Sequence, residues 1–147
     1  IGLSGIAAGS ASIGIAATEV VLLIGTSQVN RLGIPLSIFF GGVKMMMPNM
    51  VKYPVIMVPI FITAALSGIA SGIIGIGGTK ESAGFGFIGM VGLINAFKFM
   101  HVDSVWLSLL LIIVAFFVVP FLIAWILDLL LRKVIHLYRN DIFKFMG

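Results

Sequence analysis

The chain has 147 residues, 61% of them apolar and only 10% charged. A soluble domain carries about 25% charged residues, so the composition excludes a water-soluble enzyme or binding module and points to a protein that lives in a bilayer. The net charge of +4 does not indicate nucleic acid, because the basic residues lie between and after apolar runs and form no single stripe. Such charges set topology in a membrane chain. Without cysteine there is no disulfide and no thiolate metal site, and His101 and His136 stand far apart, near no carboxylate cluster. No metal, no cofactor and no catalytic nucleophile–base–acid set is expected.

A helix needs about 20 apolar residues to cross a bilayer. The stretch 1–29 qualifies, with Glu19 as its single charge. It opens at Ile1 without an initiator Met or a charged n-region, so it does not read as a signal peptide. The chain reads as part of something longer. Residues 34–47 form a shorter apolar run containing Pro35 and Gly41-Gly42. Runs of that length are more often re-entrant or interfacial than spanning. Residues 55–75 form a second span, and 84–97 a second short run with Gly84, Gly86, Gly89 and Gly92. Residues 105–131 form a third span, which Pro120 should kink. In 132–147, Arg132, His136 and Arg139 fall on one helical face and Ile135, Tyr138, Ile142 and Phe145 on another. That pattern predicts an amphipathic helix on the membrane surface. The expected class is all-α integral membrane: about three transmembrane helices, two re-entrant segments and a cytoplasmic amphipathic C-terminal helix, in one membrane domain.

Charge orients this arrangement. With three spans, Arg31, Lys44 and Lys52 share a side with Arg132, Lys133, Arg139 and Lys144, while Lys80, Glu81, Lys98 and Asp103 balance to zero opposite. Positive charge collects on the cytoplasmic side, which places 30–54 and the C-terminus there. Close helix contact in lipid favours small residues, which marks Gly5, Gly9, Gly68 and Gly72 as packing positions. The heptapeptides around them, LSGIAAG (3–9) and LSGIASG (66–72), are nearly identical. Paired spans of opposite direction, each followed by a short glycine-containing segment, have the form of an inverted repeat with a midplane site; recurrence by composition is the alternative.

An intramembrane carboxylate marks a functional site by default. Glu19 either takes that role or sits near the end of its span and pairs with Arg31 or Lys44. Asn49, beside Pro48, and Asn95 offer amides that suit sugar hydroxyls; each could equally cap a helix. The glycines at 84, 86, 89 and 92 could expose backbone to a ligand or permit packing. GFGFIG is not a dinucleotide motif, since no strand precedes it. Arg132, Lys133 and Arg139 are the candidate lipid-headgroup contacts.

Three blocks occur in order: LSGIAAGSASIGIAA (3–17), MPNMVKYP (47–54) and AGFGFIGMVGLI (83–94). Together they resemble the C-terminal half of the bacterial EIIC-like family, the membrane component of the phosphoenolpyruvate-dependent sugar phosphotransferase system, which includes a branch of perfringolysin regulators. The resemblance implies a permease domain in the bacterial cytoplasmic membrane, dimeric, that binds a carbohydrate at the midplane. Phosphoryl transfer then depends on separate EIIB and EIIA components. Pro48, Asn49, Pro54, Gly84, Gly86, Gly89 and Gly92 are the positions the blocks carry over. The family pattern has hydroxyls and amides in both short segments; here they read FFGGVKMMM (39–47) and FI (87–88). Two alternatives to sugar transport follow: a non-transporting regulator or lipid- or small-molecule-binding protein of the same fold, and an ion or proton path through Glu19.

Overall fold

The computed structural model describes residues 4–99 and 104–146. Apart from one bridge between Gly5 and Gly78, every regular element among them is helical. The segments Ile6–Ser27, Gly33–Lys52, Pro54–Ile74 and Val105–Val134 are each long and apolar enough to cross a membrane by length and composition. The protein is therefore an all-α integral membrane protein.

Helix α1 (Ile6–Ser27) is the central element and is buried along most of its length. Its hydroxyls are matched to a lipid setting: Thr18 Oγ1 donates to the Gly14 carbonyl at 3.1 Å and Ser27 Oγ to that of Ile24 at 2.9 Å, so neither leaves a polar group unsatisfied. Helix α4 (Met57–Ile74) runs antiparallel beside it. The Gly14 position lies against Ala64, and Gly68 and Gly72 lie against Ser10. Helix α4 stops at Gly75, whose φ of 82° is the left-handed conformation that glycine adopts without steric cost. Residues 76–78 then lie along the start of α1, where Gly5 and Gly78 exchange backbone hydrogen bonds of 2.9 and 3.0 Å. A Cβ at Gly9 would strike the Ile76 carbonyl, whereas one at Gly68 would meet only Ser10 O at 3.6 Å. Gly9→Ala should therefore lower the thermal midpoint in detergent, at a cost of about 1–3 kcal/mol. Gly68→Ala should leave it unchanged or raise it, because a helical glycine itself costs up to about 1 kcal/mol.

The third long helix runs from Val105 to Val134. It comprises α6 (Val105–Ile113), a π-helical stretch at Val114–Val118, α7 (Val119–Leu129) and a second π-helical stretch at Leu130–Val134. The first wide turn falls where Pro120 cannot donate to the preceding turn, so the proline is absorbed by a change of helical pitch. Its C-terminal end meets that of α1: Gln28 Nε2 donates to Asp128 Oδ2 at 3.2 Å.

Between these helices lie two chain reversals. The segment Gly33–Lys52 has the length of a span, because helical turns resume after Met46 and Pro48 starts a helix instead of stopping it. This differs from the expected 34–47. The segment is broken, however. Helix α2 (Gly33–Ser37) continues into a π-helical stretch that ends at Gly41 and Gly42, where Gly41 has a φ of 146°. A short turn and α3 (Met47–Lys52) follow. Both ends of the segment lie at the C-terminal end of α1. Asn30, just before it, and Asn49, inside α3, hydrogen bond to adjacent residues of the tail. We call this segment hairpin 1.

Residues 79–99 form hairpin 2 at the opposite end of α1. It enters beside Gly78, turns at Gly89 (φ 61°) and returns as α5 (Val91–Phe99), where Phe99 lies against Gly77. The hairpins thus enter from opposite ends, and their tips touch: the rings of Phe39 and Phe87 are 4.6 Å apart and Gly41 approaches Ile88. The two similar heptapeptides do not mark this opposed arrangement. One starts α1 and the other ends α4, and antiparallel packing sets them side by side. Their shared composition suits one contact between two helices.

The expected amphipathic helix over 132–147 does not form among the described residues beyond Val134. Helical structure ends at Val134, His136 has a φ of 55°, and the chain returns across the ends of α1 and α3 with one short turn at Asn140–Phe143. Tyr138 and Phe143 are buried, and side-chain amides of other segments take the backbone groups of 142–145 that a helix would have paired internally. Tertiary partners for the backbone replace the helix.

Candidate functional site

The hairpin tips meet on one face of α1. Ser12, Ala16 and Glu19, spaced three and four apart, lie on a common stripe. Each takes one residue of hairpin 2. Ser12 Oγ donates to the Phe85 carbonyl, Gly86 packs on the Ala16 backbone, and the Phe87 amide donates to Glu19 Oε2 at 2.8 Å. Glu19 stands eight residues before the end of α1 and thirteen after its start, about 12 and 20 Å along the axis at 1.5 Å per residue. That is near the middle of a hydrocarbon core about 30 Å thick.

Glu19 is fully buried. Only one of its oxygens has a described partner; Oε1 is buried without one. Its hydrogen bond runs to hairpin 2, and neither Arg31 nor Lys44 is bonded to it among the described residues. Around the tip stands an aromatic cluster. Phe87 contacts Phe39 and Phe117 at 4.6 Å and Phe116 at 6.2 Å, and Phe121 lies 6.4 Å from Phe39. The arrangement is one buried carboxyl group with an unpartnered oxygen in a closed, apolar, ring-lined junction.

The other sequence candidates separate. Gly86 and Gly92 are buried at the junction, where a Cβ at Gly92 would meet Ser12 Oγ and the carbonyls of Phe85 and Gly86. Gly89 forms the turn, and Gly84 is open with nothing within 4 Å of its Cβ position. Asn95 bonds to its own helix, to the Val91 carbonyl at 3.1 Å, and to Thr79 at 3.4 Å. Pro48 and Asn49 lie at the outer end of hairpin 1, away from Glu19. Asn49 Nδ2 donates to the carbonyls of Ile142 and Lys144, both at 2.8 Å. Ser12, Phe39 and Phe87 are junction residues that the sequence did not single out. In a chain with twelve phenylalanines, neither ring carried a local signal.

A polar network closes the C-terminal end. Asp128 pairs with Arg132 at 2.9 Å, Arg132 also donates to Gln28 and Asn140, and Asn140 donates to Gln28 Oε1 at 2.8 Å. Burial and the Asp128 carboxylate raise the pKa of the Tyr138 phenol. Arg132 thus turns inward, whereas Lys133 and Arg139 are exposed, Arg139 with Asp141 at 3.3 Å.

An apolar helical frame, with two opposed hairpins meeting on a buried carboxyl at mid-depth, defines a membrane-embedded permease-like protein. The match to known families agrees: the family described as phosphotransferase system, EIIC, matches residues 1–145, and the chain belongs to it. Members form the membrane component that works with EIIB and EIIA. No curated protein and no solved structure matches the chain.

Proposed function

We propose that the chain binds a carbohydrate at the hairpin junction, with Glu19 Oε1 accepting a sugar hydroxyl, as the EIIC component of a sugar phosphotransferase system in the bacterial cytoplasmic membrane. The observation that carries this reading is the half-satisfied Glu19, fixed through Oε2 and unpartnered at Oε1. A buried polar atom without a partner costs about 1–3 kcal/mol, which a hydroxyl-bearing ligand recovers. The rings of Phe39, Phe87 and Phe117 supply apolar faces for the sugar ring. Hairpin 2 seats on Glu19 and its tip meets that of hairpin 1, so movement of the two hairpins, which enter from opposite ends, opens the site. The end that carries Arg31, Lys52, Lys133 and Lys144 faces the cytoplasm by the positive-inside rule, where EIIB delivers phosphate. A homodimer and lipid-headgroup contact through Lys133 and Arg139 complete the proposed assembly. A panel of sugars screened by thermal shift in detergent tests the reading: at least one should raise the midpoint, and a panel that leaves it flat contradicts the proposal.

One observation favours a second reading, a lipid- or small-molecule-binding protein of the same fold. A groove of about 310 Å³ between α5 and α6 is almost wholly apolar, lined by Leu93, Ile94, Phe97, Ile112 and Ile113, with Lys98 at its edge. On that reading the purified protein retains an acyl lipid in native mass spectrometry, and bare protein counts against it.

A further inference from the structure

The C-terminal tail is gripped from two sides. Asn30, at the end of α1, donates through Nδ2 to the Phe143 carbonyl and accepts at Oδ1 from the Phe145 amide, both at 2.9 Å. Asn49, in the returning arm of hairpin 1, donates to the carbonyls of Ile142 and Lys144. Residues 142–145 therefore present alternate backbone groups to alternate sides, and two asparagines read them. Between these grips the Phe143 ring fills a notch in α1 at Gly25, where even a Cβ would stand 2.5 Å from the ring. Phe143 is almost fully buried and Asn49 completely so.

Of the two asparagines only Asn49 belongs to hairpin 1. Hairpin 1 is broken at Gly41, and its tip leans on hairpin 2 through Phe39. Its outer end is held to the tail by Asn49. We infer that Asn30, Asn49 and the notch at Gly25 form a backbone-reading groove for a short turn and the residues after it, with an aromatic anchor. The chain's own residues 142–145 occupy it, and the occupied groove latches hairpin 1 against α1. Asn49 is thus a positioning residue for the hairpin. Vacating the groove unlatches the arm whose tip packs on Phe87, the residue bonded to Glu19. The inference goes beyond sugar binding, and its test needs no sugar.

Two single variants in the full chain attack the latch from opposite sides. Asn49→Asp keeps the shape but replaces both donors by an acceptor facing two carbonyls. Gly25→Ala removes no polar group and favours the helix, but occupies the space of the Phe143 ring. Backbone hydrogen exchange in detergent is read in three regions: the tail, hairpin 1, and α1 with α4. Each variant should speed exchange in the tail and in residues 38–47 together, by about tenfold, the change that loss of roughly one net hydrogen bond produces. Exchange in α1 and α4 should stay within about twofold of wild type. Faster exchange in the tail alone would overturn the inference, since the tail would then be an anchor without hold on the hairpin. Loss of protection throughout α1 and α4 in both variants would overturn it equally, since the latch would then be inseparable from the fold.

Discussion

Replacing Glu19 by Gln should weaken the binding of whichever sugar the panel identifies by about tenfold or more, while the protein still folds. Gln keeps the volume, and its carbonyl oxygen can still accept from the Phe87 amide, the contact that seats hairpin 2. What changes is the other atom. The free acceptor at Oε1 becomes an NH₂ donor, and the hydroxyl that donated to it loses its partner. Leaving one buried polar group unpaired costs about 1–3 kcal/mol, and 1.4 kcal/mol is a factor of ten. Glu19→Ala should do more and differently. It strips the Phe87 amide of its acceptor as well and leaves a space between α1 and the tip, so stability falls along with binding. Titration calorimetry on the two variants separates these effects. Unchanged affinity in Glu19→Gln removes Glu19 from the site, and unchanged proton flux in liposomes carrying the same variant removes the alternative of an ion path through it.

The second large effect is expected at Gly86. A Cβ there would stand 2.5 Å from Glu19 Oε2, 2.6 Å from the Ala16 amide nitrogen and 2.8 Å from its Cα. Two of these neighbours are backbone in the middle of a fully packed helix, so they cannot step aside. The tip of hairpin 2 must lift instead. Overpacking of this kind costs about 1–3 kcal/mol, and the lift breaks the Phe87–Glu19 hydrogen bond and parts the Phe39–Phe87 contact. Gly86→Ala should therefore lower the thermal midpoint and abolish sugar binding together. Gly84→Ala, two residues away, meets nothing within 4 Å and should change neither. If both variants bind alike, hairpin 2 does not seat on α1 as described.

Much of this architecture is legible in the sequence, for reasons of solvent. The bilayer demands long uncharged helices, so the three long helices stand out to within a few residues of their ends. A carboxyl group in such a run is costly enough that Glu19 draws attention by itself. The short segments are harder. Their length and glycines show that they are irregular, but only contacts between residues far apart in the chain, such as Asn30 and Asn49 with the tail, place both ends of hairpin 1 together. Hairpin 1 also runs past its expected end because Pro48 is tolerated in the first turn of a helix.

The tail is the clearest departure. A periodic pattern of Ile135, Tyr138, Ile142 and Phe145 is compatible with a helix, but it does not reveal that the notch at Gly25 and the amides of Asn30 and Asn49 offer better partners to a chain that folds back with one short turn. Asn49 illustrates the same limit. A side-chain amide suits a sugar hydroxyl and a backbone carbonyl equally, and its sequence neighbours do not distinguish them. The similar heptapeptides at 3–9 and 66–72 suggested equivalence in a repeat, yet they lie face to face because both sides of a close helix contact require small residues.

The central claim is that Glu19, where the two hairpins meet, holds the ligand. An experimental structure with the bound sugar tests it most directly. The account predicts density beside Phe39 and Phe87, with a sugar hydroxyl at hydrogen-bond distance, about 2.8 Å, from Glu19 Oε1, while the Phe87 amide remains on Oε2. Sugar density elsewhere, with Glu19 still buried and Oε1 still unpartnered, contradicts it.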